Sequence, residues 1–326
     1  MASPTLVRRR EFIALVGVAA SWPVAAVAQQ AKIHRIGALF LGIAYADSFR
    51  QELREELRKS GYVEGQNFVL EVRSAEGRLE LLPKLAAELV ALNVDVIVAV
   101  YTPCAFAARE ATRTIPIVAV AGDLLETGLV SSLGRPSGNI TGISLLAAES
   151  HGKCVVLFRE MSPAVRRIAL LGNAADPFSK PILKQVQLAG RTTSTDIAPV
   201  VMVRGPQDID AALAAMKREG AAGVVVQGSL ASRTVAELTL KHSLPAATFS
   251  RSFAEVGGLI SYGADGPESF RRSAAFVAKV LQGGNPATLP IEQPTKFELV
   301  INLKTAKALG ITIPPTLLPR ADEVIE

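Results

Sequence analysis

Short apolar runs rich in Val, Ile, Leu and Ala alternate with amphipathic stretches along the chain after residue 30. In residues 47–60, Phe49, Leu53 and Leu57 recur at four-residue spacing between charged positions, which predicts a helix that ends at Gly61. Nearly continuous apolar runs such as 94–100, in which Asp95 is the single charged residue, are typical of strands buried on both faces of a parallel sheet. The first round of this alternation predicts strands over 34–41, 68–73, 94–100 and 115–120 and helices over 47–60, 79–92 and 104–112.

The same alternation begins again at Arg167, after a segment rich in Gly, Pro and Ser over 134–146 that we interpret as a link. The second round predicts strands over 168–171, 197–203, 223–227, 246–249, 257–263 and 297–303 and helices over 147–160, 179–189, 207–219, 231–242, 268–282 and 305–309. Alternating β and α elements favour parallel sheets with helices on both faces. Two rounds therefore predict an α/β protein with two doubly wound lobes, between which the chain passes more than once.

The first 28 residues have a different pattern, in which Arg8, Arg9 and Arg10 precede sixteen uncharged residues. A cationic start, an apolar run and the small-x-small sequence Ala-Val-Ala at 26–28 are typical of an export signal cleaved before Gln29. Arg9 and Arg10, followed by Phe12, also fit the twin-arginine pattern, although paired arginines occur in general signals too. An uncleaved anchor is the alternative, but the run is shorter than the ~20 residues of a membrane span. We therefore expect a periplasmic protein.

Charge and cysteine content narrow the classes of function. The net charge of the 326-residue chain is +5, of which the three arginines and one glutamate of the signal supply +2, leaving +3. No block of Lys and Arg stands near aromatic residues, so nucleic-acid binding is not expected. Cys104 and Cys154 form no disulfide framework, and we expect two buried thiols, with a single bridge as the alternative.

Several long segments resemble the ABC-importer substrate-binding family whose best-known members bind tryptophan or tyrosine. They are RRREFIALVG at the start, SGYVEGQNFVLEVRSAEGR at 60–78, TIPIVAVAGDLLETGLVSSLGRPSGNITGIS at 114–144, FAEVGGLISYGAD at 253–265 and PTKFELVINLKTAKALGITIPPTLLPRADEVIE at 294–326. The resemblance covers the whole chain. It implies the type I periplasmic-binding fold, with two α/β lobes, three crossovers and a ligand enclosed by hinge motion.

The resemblance also implies a division of the chain and a set of partners. Lobe 1 is expected over 29–143 and 263–296, and lobe 2 over 144–262 and 297–326. The partners are then a small organic ligand, amino-acid-like or an aromatic carboxylate, and an ABC permease of the inner membrane. A monomer without cofactor or metal is expected.

Ligands of open α/β sheets bind beyond the carboxyl ends of the strands, which selects loops independently of any relative. In the first lobe, Thr102 is predicted to cap a helix whose free N–H groups and dipole would hold a carboxylate, or else to cap the helix only. Asp123 would pair with an ammonium or hydroxyl group, or else stabilise its own turn. Tyr45 would offer a flat wall to a ring, or else pack within its loop.

The loops that this rule selects in the first lobe are 41–47, 101–105 and 121–126, and in the second lobe it selects 172–178, 227–232 and 250–253. The second-lobe candidates come from the first two of these loops. Their candidate ligand contacts are Asn173, Asp176, Phe178, Gln227 and Ser229, although Asp176 and the proline after it also resemble an ordinary turn. Tyr262 is predicted on a crossover strand near the cleft, either as a contact or as part of the hinge.

Enzymatic signals are few. The sequence has no phosphate-binding glycine loop, no serine nucleophile motif and no zinc motif, and its three histidines are far apart in sequence. The remaining enzymatic alternative is a cofactor-independent racemase that would use Cys104, whose thiol pKa a helix N-terminus would lower. Cys154 does not suit this role, because it falls inside a predicted helix.

Overall fold

The computed structural model describes residues 32–42 and 46–326. Within these residues the strands form two sheets. The first has five parallel strands in the order β2-β1-β3-β4-β5. They are β1 (His34–Phe40), β2 (Phe68–Ser74), β3 (Val96–Val100), β4 (Ile117–Ala121) and β5 (Ile140–Ser144). The helices α1 (Ala46–Lys59), α2 (Leu82–Ala91) and α3 (Thr102–Ala111) connect the first four strands.

The second sheet has seven strands in the order β12-β11-β10-β9-β8-β6-β7. They are β6 (Arg167–Asn173), β7 (Asp196–Val203), β8 (Val224–Val226), β9 (Ala246–Thr248), β10 (Ile260–Ala264), β11 (Phe297–Asn302) and β12 (Glu323–Ile325). Only the β10–β11 pair is antiparallel, with Ile260 opposite Ile301. Its helices are α4 (Ala147–Met161), α5 (Ser179–Thr193), α6 (Ile209–Arg218), α7 (Arg233–Lys241), α8 (Arg251–Glu255) and α10 (Leu303–Ala308).

Helix α9 (Gly266–Leu281) follows a strand of the second sheet but packs on the first. Its apolar face brings Phe270 edge-on to Phe49 of α1, with ring centroids 5.7 Å apart, and Phe49 in turn contacts Phe40 of β1. The chain passes between the sheets after β5, after β10 and again before β11. These passages hold the two carboxyl edges opposite each other.

One strand contradicts the sequence prediction. Residues 140–144, which we interpreted as part of a linking segment, form β5 at the edge of the first sheet. Gly142 lies opposite Ala119 of β4 with φ +132, and a Cβ on Gly142 would collide with the backbone of Ala119. The glycine that makes the segment resemble a loop is therefore the residue that lets the two strands approach.

Two smaller differences between the sequence prediction and the structure concern elements late in the chain. Residues 251–255, predicted as a loop, form the short helix α8, and residues 323–325 add β12 to the sheet. No helix among the described residues is long and apolar enough to span a bilayer.

Candidate functional site

A cavity of about 260 Å³ lies where the carboxyl ends of the two sheets face each other. The segments that line it follow β1, β3, β4 and β5 in the first sheet and β6, β8, β9 and β10 in the second. Most of the wall is apolar, and four aromatic side chains contribute to it: Tyr101, Phe178, Phe249 and Phe270. The polar lining comprises Ser48, Thr102, Asp176, Gln227, Ser229, Ser250, Arg251, Ser252, Glu255 and Ser269.

Tyr101 reaches the cavity through an unusual backbone conformation. Its φ of 81° and ψ of 151° lie in a region that is almost restricted to glycine. The conformation is held because the Tyr101 N–H donates to the carbonyl of Val120 at 2.8 Å and its carbonyl accepts from the N–H of Ala105 at 3.1 Å. The Tyr101 ring then meets the ring of Phe249 edge-on, with centroids 6.2 Å apart. Tyr101 thus links the first sheet to the second across the cavity.

The predicted capping role of Thr102 is wrong by one residue. Tyr101 occupies the N-cap position, and Thr102 is the first residue of α3. Thr102 lines the cavity at 2% exposure, and its Oγ1 accepts a hydrogen bond from the N–H of Gly122 at 3.2 Å. The side chain therefore fixes the loop after β4 against the start of α3.

The two sheets also meet at Gly122 and Phe178. A Cβ built on Gly122 would lie 2.8 Å from Cδ1 of Phe178 and closer still to two other ring atoms. At the rim, the ammonium group of Lys184 on α5 lies 2.7 Å from a carboxylate oxygen of Glu126, which follows β4. The cavity is therefore enclosed by contacts between the two sides.

Asp123 lies outside the cavity lining. Its Oδ1 accepts hydrogen bonds from the N–H groups of Leu125 at 3.0 Å and Glu126 at 2.8 Å. Asp123 is 7% exposed and so is buried within its own turn. The structure thus places this carboxylate in the turn-stabilising role that the sequence left open as its alternative.

Asp176 is the carboxylate that faces the cavity, at 6% exposure. Its Oδ1 accepts from the N–H of Phe178 at 2.9 Å, which forms the turn before α5. Burial raises the pKa of Asp176, and Ser229, the Phe178 N–H and Gln227 offset part of this rise. The charged form of Asp176 is consequently held at a cost in free energy.

Gln227 lies behind Asp176 in a fixed orientation. Its Oε1 accepts from the N–H of Asn173 and from Oγ of Ser179, both at 2.8 Å. The Nε2 group of Gln227, at a residue only 1% exposed, has no partner in hydrogen-bond geometry, and neither has Oγ of Ser229. Both groups lie close enough to Asp176 to favour its charged form, and both residues line the cavity.

Two further predicted residues support the site without lining it. Asn173 shapes the loop after β6, where its Oδ1 accepts from the N–H of Ala175 at 3.0 Å. Tyr262 lies on β10, and its ring stacks on that of Phe297 with centroids 5.9 Å apart. Tyr45 lies outside the described residues.

Several residues that line the cavity were not singled out in the sequence, among them Phe249, Arg251 and Phe270. Arg251 lies in a loop that the strand-end rule selected, without any signal for its side chain, and Phe249 was predicted as the last residue of a strand. Phe270 belongs to the apolar face of an amphipathic helix, a pattern that predicts burial but no cavity.

Arg251 is the one basic side chain among the described residues that line the cavity. Its guanidinium lies 2.9 Å from Glu255 and 3.7 Å from Glu298, and it also contacts Glu323. Three carboxylates therefore share this cation, which is 40% exposed.

The expectation of two buried thiols is confirmed, and the activated cysteine that the racemase alternative required is not found. Cys104 and Cys154 are both free and fully buried. Burial raises the pKa of Cys104 well above its ordinary value, and the nearby charge of Asp176 raises it further. Burial also raises the pKa of Cys154 to about 12. The expected lowering at a helix N-terminus is therefore wrong, because desolvation outweighs the helix dipole.

The histidines form no reactive cluster in the described part of the chain. His151 on α4 is fully buried, with Nδ1 2.5 Å from the carbonyl of Ala147 and its ring beside that of Phe249. Burial lowers the pKa of His151 to about 4, so it is neutral at pH 7. Among residues 32–42 and 46–326, no group of three or more His, Cys, Asp or Glu side chains is arranged to hold a metal ion.

Comparison with known proteins gives a family for this arrangement. A profile described as ABC transporter substrate binding protein matches residues 43–325. A tyrosine-binding protein of Clostridioides difficile is 24% identical over 268 residues, which cover 81% of this chain and 77% of that protein.

Solved structures agree with the sequence match. An ABC domain from Streptococcus pneumoniae in complex with L-Trp has a TM-score of 0.82 and 25% identity, covering 90% of this chain and all of that one. A periplasmic binding protein from Burkholderia mallei shares the fold, with a TM-score of 0.59 and 11% identity over 79% of this chain and 80% of its own. The expected type I periplasmic-binding fold is thus confirmed.

Proposed function

Because this chain belongs to the ABC transporter substrate-binding family, we propose that it is an exported receptor that captures a small organic ligand and delivers it to a membrane permease. The observation that carries the proposal is the cavity between the carboxyl edges of the two sheets. Both sides contribute to its lining, and buried polar groups of Asp176 and Gln227 face it. An enclosed, largely apolar cavity with few polar groups is typical of small-molecule sites.

The ligand class that we propose is amino-acid-like or an aromatic carboxylate. The proposed contacts are Thr102, Asp176, Phe178, Gln227 and Ser229, which all line the cavity. Asn173 and Asp123 would shape the loops that carry these residues, and Tyr262 would belong to the hinge. Two similar proteins support this class: the C. difficile relative is named a tyrosine-binding protein, and the S. pneumoniae structure contains L-Trp.

Capture would require the two sides of the cavity to separate and close. We assign lobe 1 to residues 29–143 and 263–296 and lobe 2 to 144–262 and 297–326, with hinges where the chain crosses between the sheets. The Gly122–Phe178 and Lys184–Glu126 contacts would then form on closure. A ligand that contacts both lobes favours the closed state by as much as it binds that state more tightly.

The receptor would act as a monomer in the periplasm and would catalyse no reaction. Residues 1–28, the proposed twin-arginine signal, lie outside the described residues. Replacing Arg9 and Arg10 with Lys should then abolish export. Continued secretion of a form starting at Gln29 would leave a general signal in its place.

The test of capture is a thermal-shift screen of the purified protein against amino acids, aromatic acids and amines, followed by small-angle scattering. A ligand that binds only the folded state stabilises it by an amount that grows with the logarithm of the ligand concentration over Kd, which raises the melting temperature. We expect such a ligand to reduce the radius of gyration as well. If no compound in the screen raised the melting temperature, or if binding left the radius unchanged, the proposed capture by closure would be wrong.

A further inference from the structure

The charges that line the cavity are unbalanced. Within the described residues the ionisable side chains of the lining are Asp176, Arg251 and Glu255. Arg251 and Glu255 form an ion pair at 2.9 Å. Asp176 forms no ion pair with a described basic side chain, and the groups that influence its titration are a hydroxyl, a backbone N–H and an amide. The lining therefore presents to a ligand one carboxyl group that has no basic partner among the described residues.

Arg251 offers little to an anionic group of a ligand. Glu298 and Glu323 also contact its guanidinium, so three carboxylates already surround this single cation. A ligand carboxylate would have to compete with them and would approach Glu255 at the same time. Like charges in a partly dehydrated site repel strongly, which disfavours an anionic ligand here.

The orientation of Gln227 defines the polar end of the site further. Because its Oε1 accepts two hydrogen bonds, its amide presents Nε2 as a donor without a partner. Gln227 is 1% exposed and lines the cavity together with Ser229, whose Oγ also has no partner. This end of the cavity thus combines one anionic acceptor with neutral groups, and it suits a cationic group beside a neutral polar one.

The other walls suit an aromatic body. Phe178, Phe249 and Phe270 line the cavity with Tyr101, and the Tyr101 and Phe249 rings contact each other. Aromatic faces attract both rings and ammonium groups. We propose that the ligand is a small aromatic amine, bound as its ammonium form with the charged nitrogen on Asp176 and the ring among these side chains. The inference rests on the receptor role of the proposed function, keeps the aromatic body of its ligand and replaces the carboxylate by a cationic group.

The test compares probes that share one frame and differ in charge. Isothermal titration of the purified protein at pH 7 would use 2-phenylethylamine, L-phenylalanine and 3-phenylpropionate, and the matching set tryptamine, L-tryptophan and indole-3-propionate. We expect the amine of at least one set to bind roughly tenfold more tightly than its acid, which lacks the ammonium group and so loses a charge-assisted contact. We expect a comparable preference over the zwitterion, which keeps the ammonium group but brings a carboxylate close to Asp176 and Glu255. An acid or a zwitterion that bound as tightly as its amine would overturn the inference.

Two matched variants test whether the ammonium group of the ligand binds at Asp176. Asp176→Asn keeps the shape of the side chain and should weaken amine binding at least about tenfold while leaving acid binding unchanged or stronger. Asp208→Asn, a turn carboxylate outside the lining whose Oδ2 accepts from the N–H of Arg204 at 3.1 Å, should leave amine binding within about twofold. Equal losses in both variants, or no loss in Asp176→Asn, would show that the ammonium is not on Asp176. If Asp176→Asn does not fold, the ranking of the six probes on the wild type decides by itself.

Failure of this inference and failure of the proposed function give different results. If the amines do not bind but another compound of the thermal-shift screen binds and compacts the protein, the amine inference is overturned and the receptor function stands. If no compound of the wider screen binds either, both are overturned.

Discussion

A methyl group added at Gly122 should weaken ligand binding by obstructing closure. Gly122 lines the cavity directly after β4. Its new Cβ would lie 2.8 Å from Cδ1 of Phe178 and closer to the neighbouring ring atoms. Ordinary contacts of this kind are 3.4–4 Å, so the ring or the lobe must move. Overpacking of this size costs typically 1–3 kcal/mol. Because the two residues belong to opposite sides of the cavity, the cost falls on the closed state, and Kd should rise roughly five- to hundredfold.

The assay is isothermal titration of Gly122→Ala with a ligand found in the screen, together with scattering of the bound protein. Gly134→Ala is the matched control, because a Cβ at Gly134 meets no heavy atom within 4 Å. In the double variant Gly122→Ala/Phe178→Ala the clash is absent, so the two substitutions should be strongly non-additive. If Gly122→Ala bound ligand like the wild type and compacted to the same radius, the contact with Phe178 would not limit closure and the reasoning would be refuted.

Two further predictions concern buried groups near the cavity. The pKa of His151 is lowered by burial to about 4 from 6.5, so the unfolded chain binds the proton first and stability is lost as pH falls from about 6.5 to 4. At about 1.4 kcal/mol per pKa unit, the wild type should lose about 3 kcal/mol of unfolding free energy over this range. In urea unfolding between pH 7 and pH 4, His151→Gln should lose correspondingly less. Parallel curves of unfolding free energy against pH for the two proteins would contradict the prediction. Cys104 and Cys154 are fully buried and their pKa values are raised, so neither should react with a thiol-reactive dye in the folded protein. Both should react in denaturant. Labelling of the native protein would disprove their burial.

The sequence predicted the fold well where periodicity and burial agree. The prediction of a strand in 94–100 and of a helix in 47–60 corresponds to β3 and α1. Every residue of β3 is buried, and the apolar residues of α1 share one buried face, so each pattern has one clear interpretation. It failed at β5, since Gly142 is there for close packing against β4, and a glycine between Pro- and Ser-rich stretches indicates a loop just as well. Propensity cannot distinguish these cases when the partner strand is unknown.

The site was predictable at the level of loops and not of side chains. The strand-end rule selected the segments of Tyr101, Asp176, Gln227 and Arg251, which all line the cavity. It could not separate Asp123 from Asp176, because both are acidic residues in turns after buried strands. Both carboxylates accept hydrogen bonds from N–H groups of their own turns, but Asp176 also lines the cavity and Asp123 does not.

The backbone conformation of Tyr101 lowers the stability of the folded protein whether or not a ligand is bound. A residue with a Cβ at φ 81° and ψ 151° raises the energy of the folded state by about 1–3 kcal/mol. Glycine would remove that cost and with it the ring that reaches Phe249 across the cavity. Glycine would therefore suit the backbone at this position better, whereas the wall of the cavity requires the ring of the tyrosine. Efforts to make the protein more heat-resistant should leave residue 101 unchanged, because here thermostability and molecular recognition are in direct opposition.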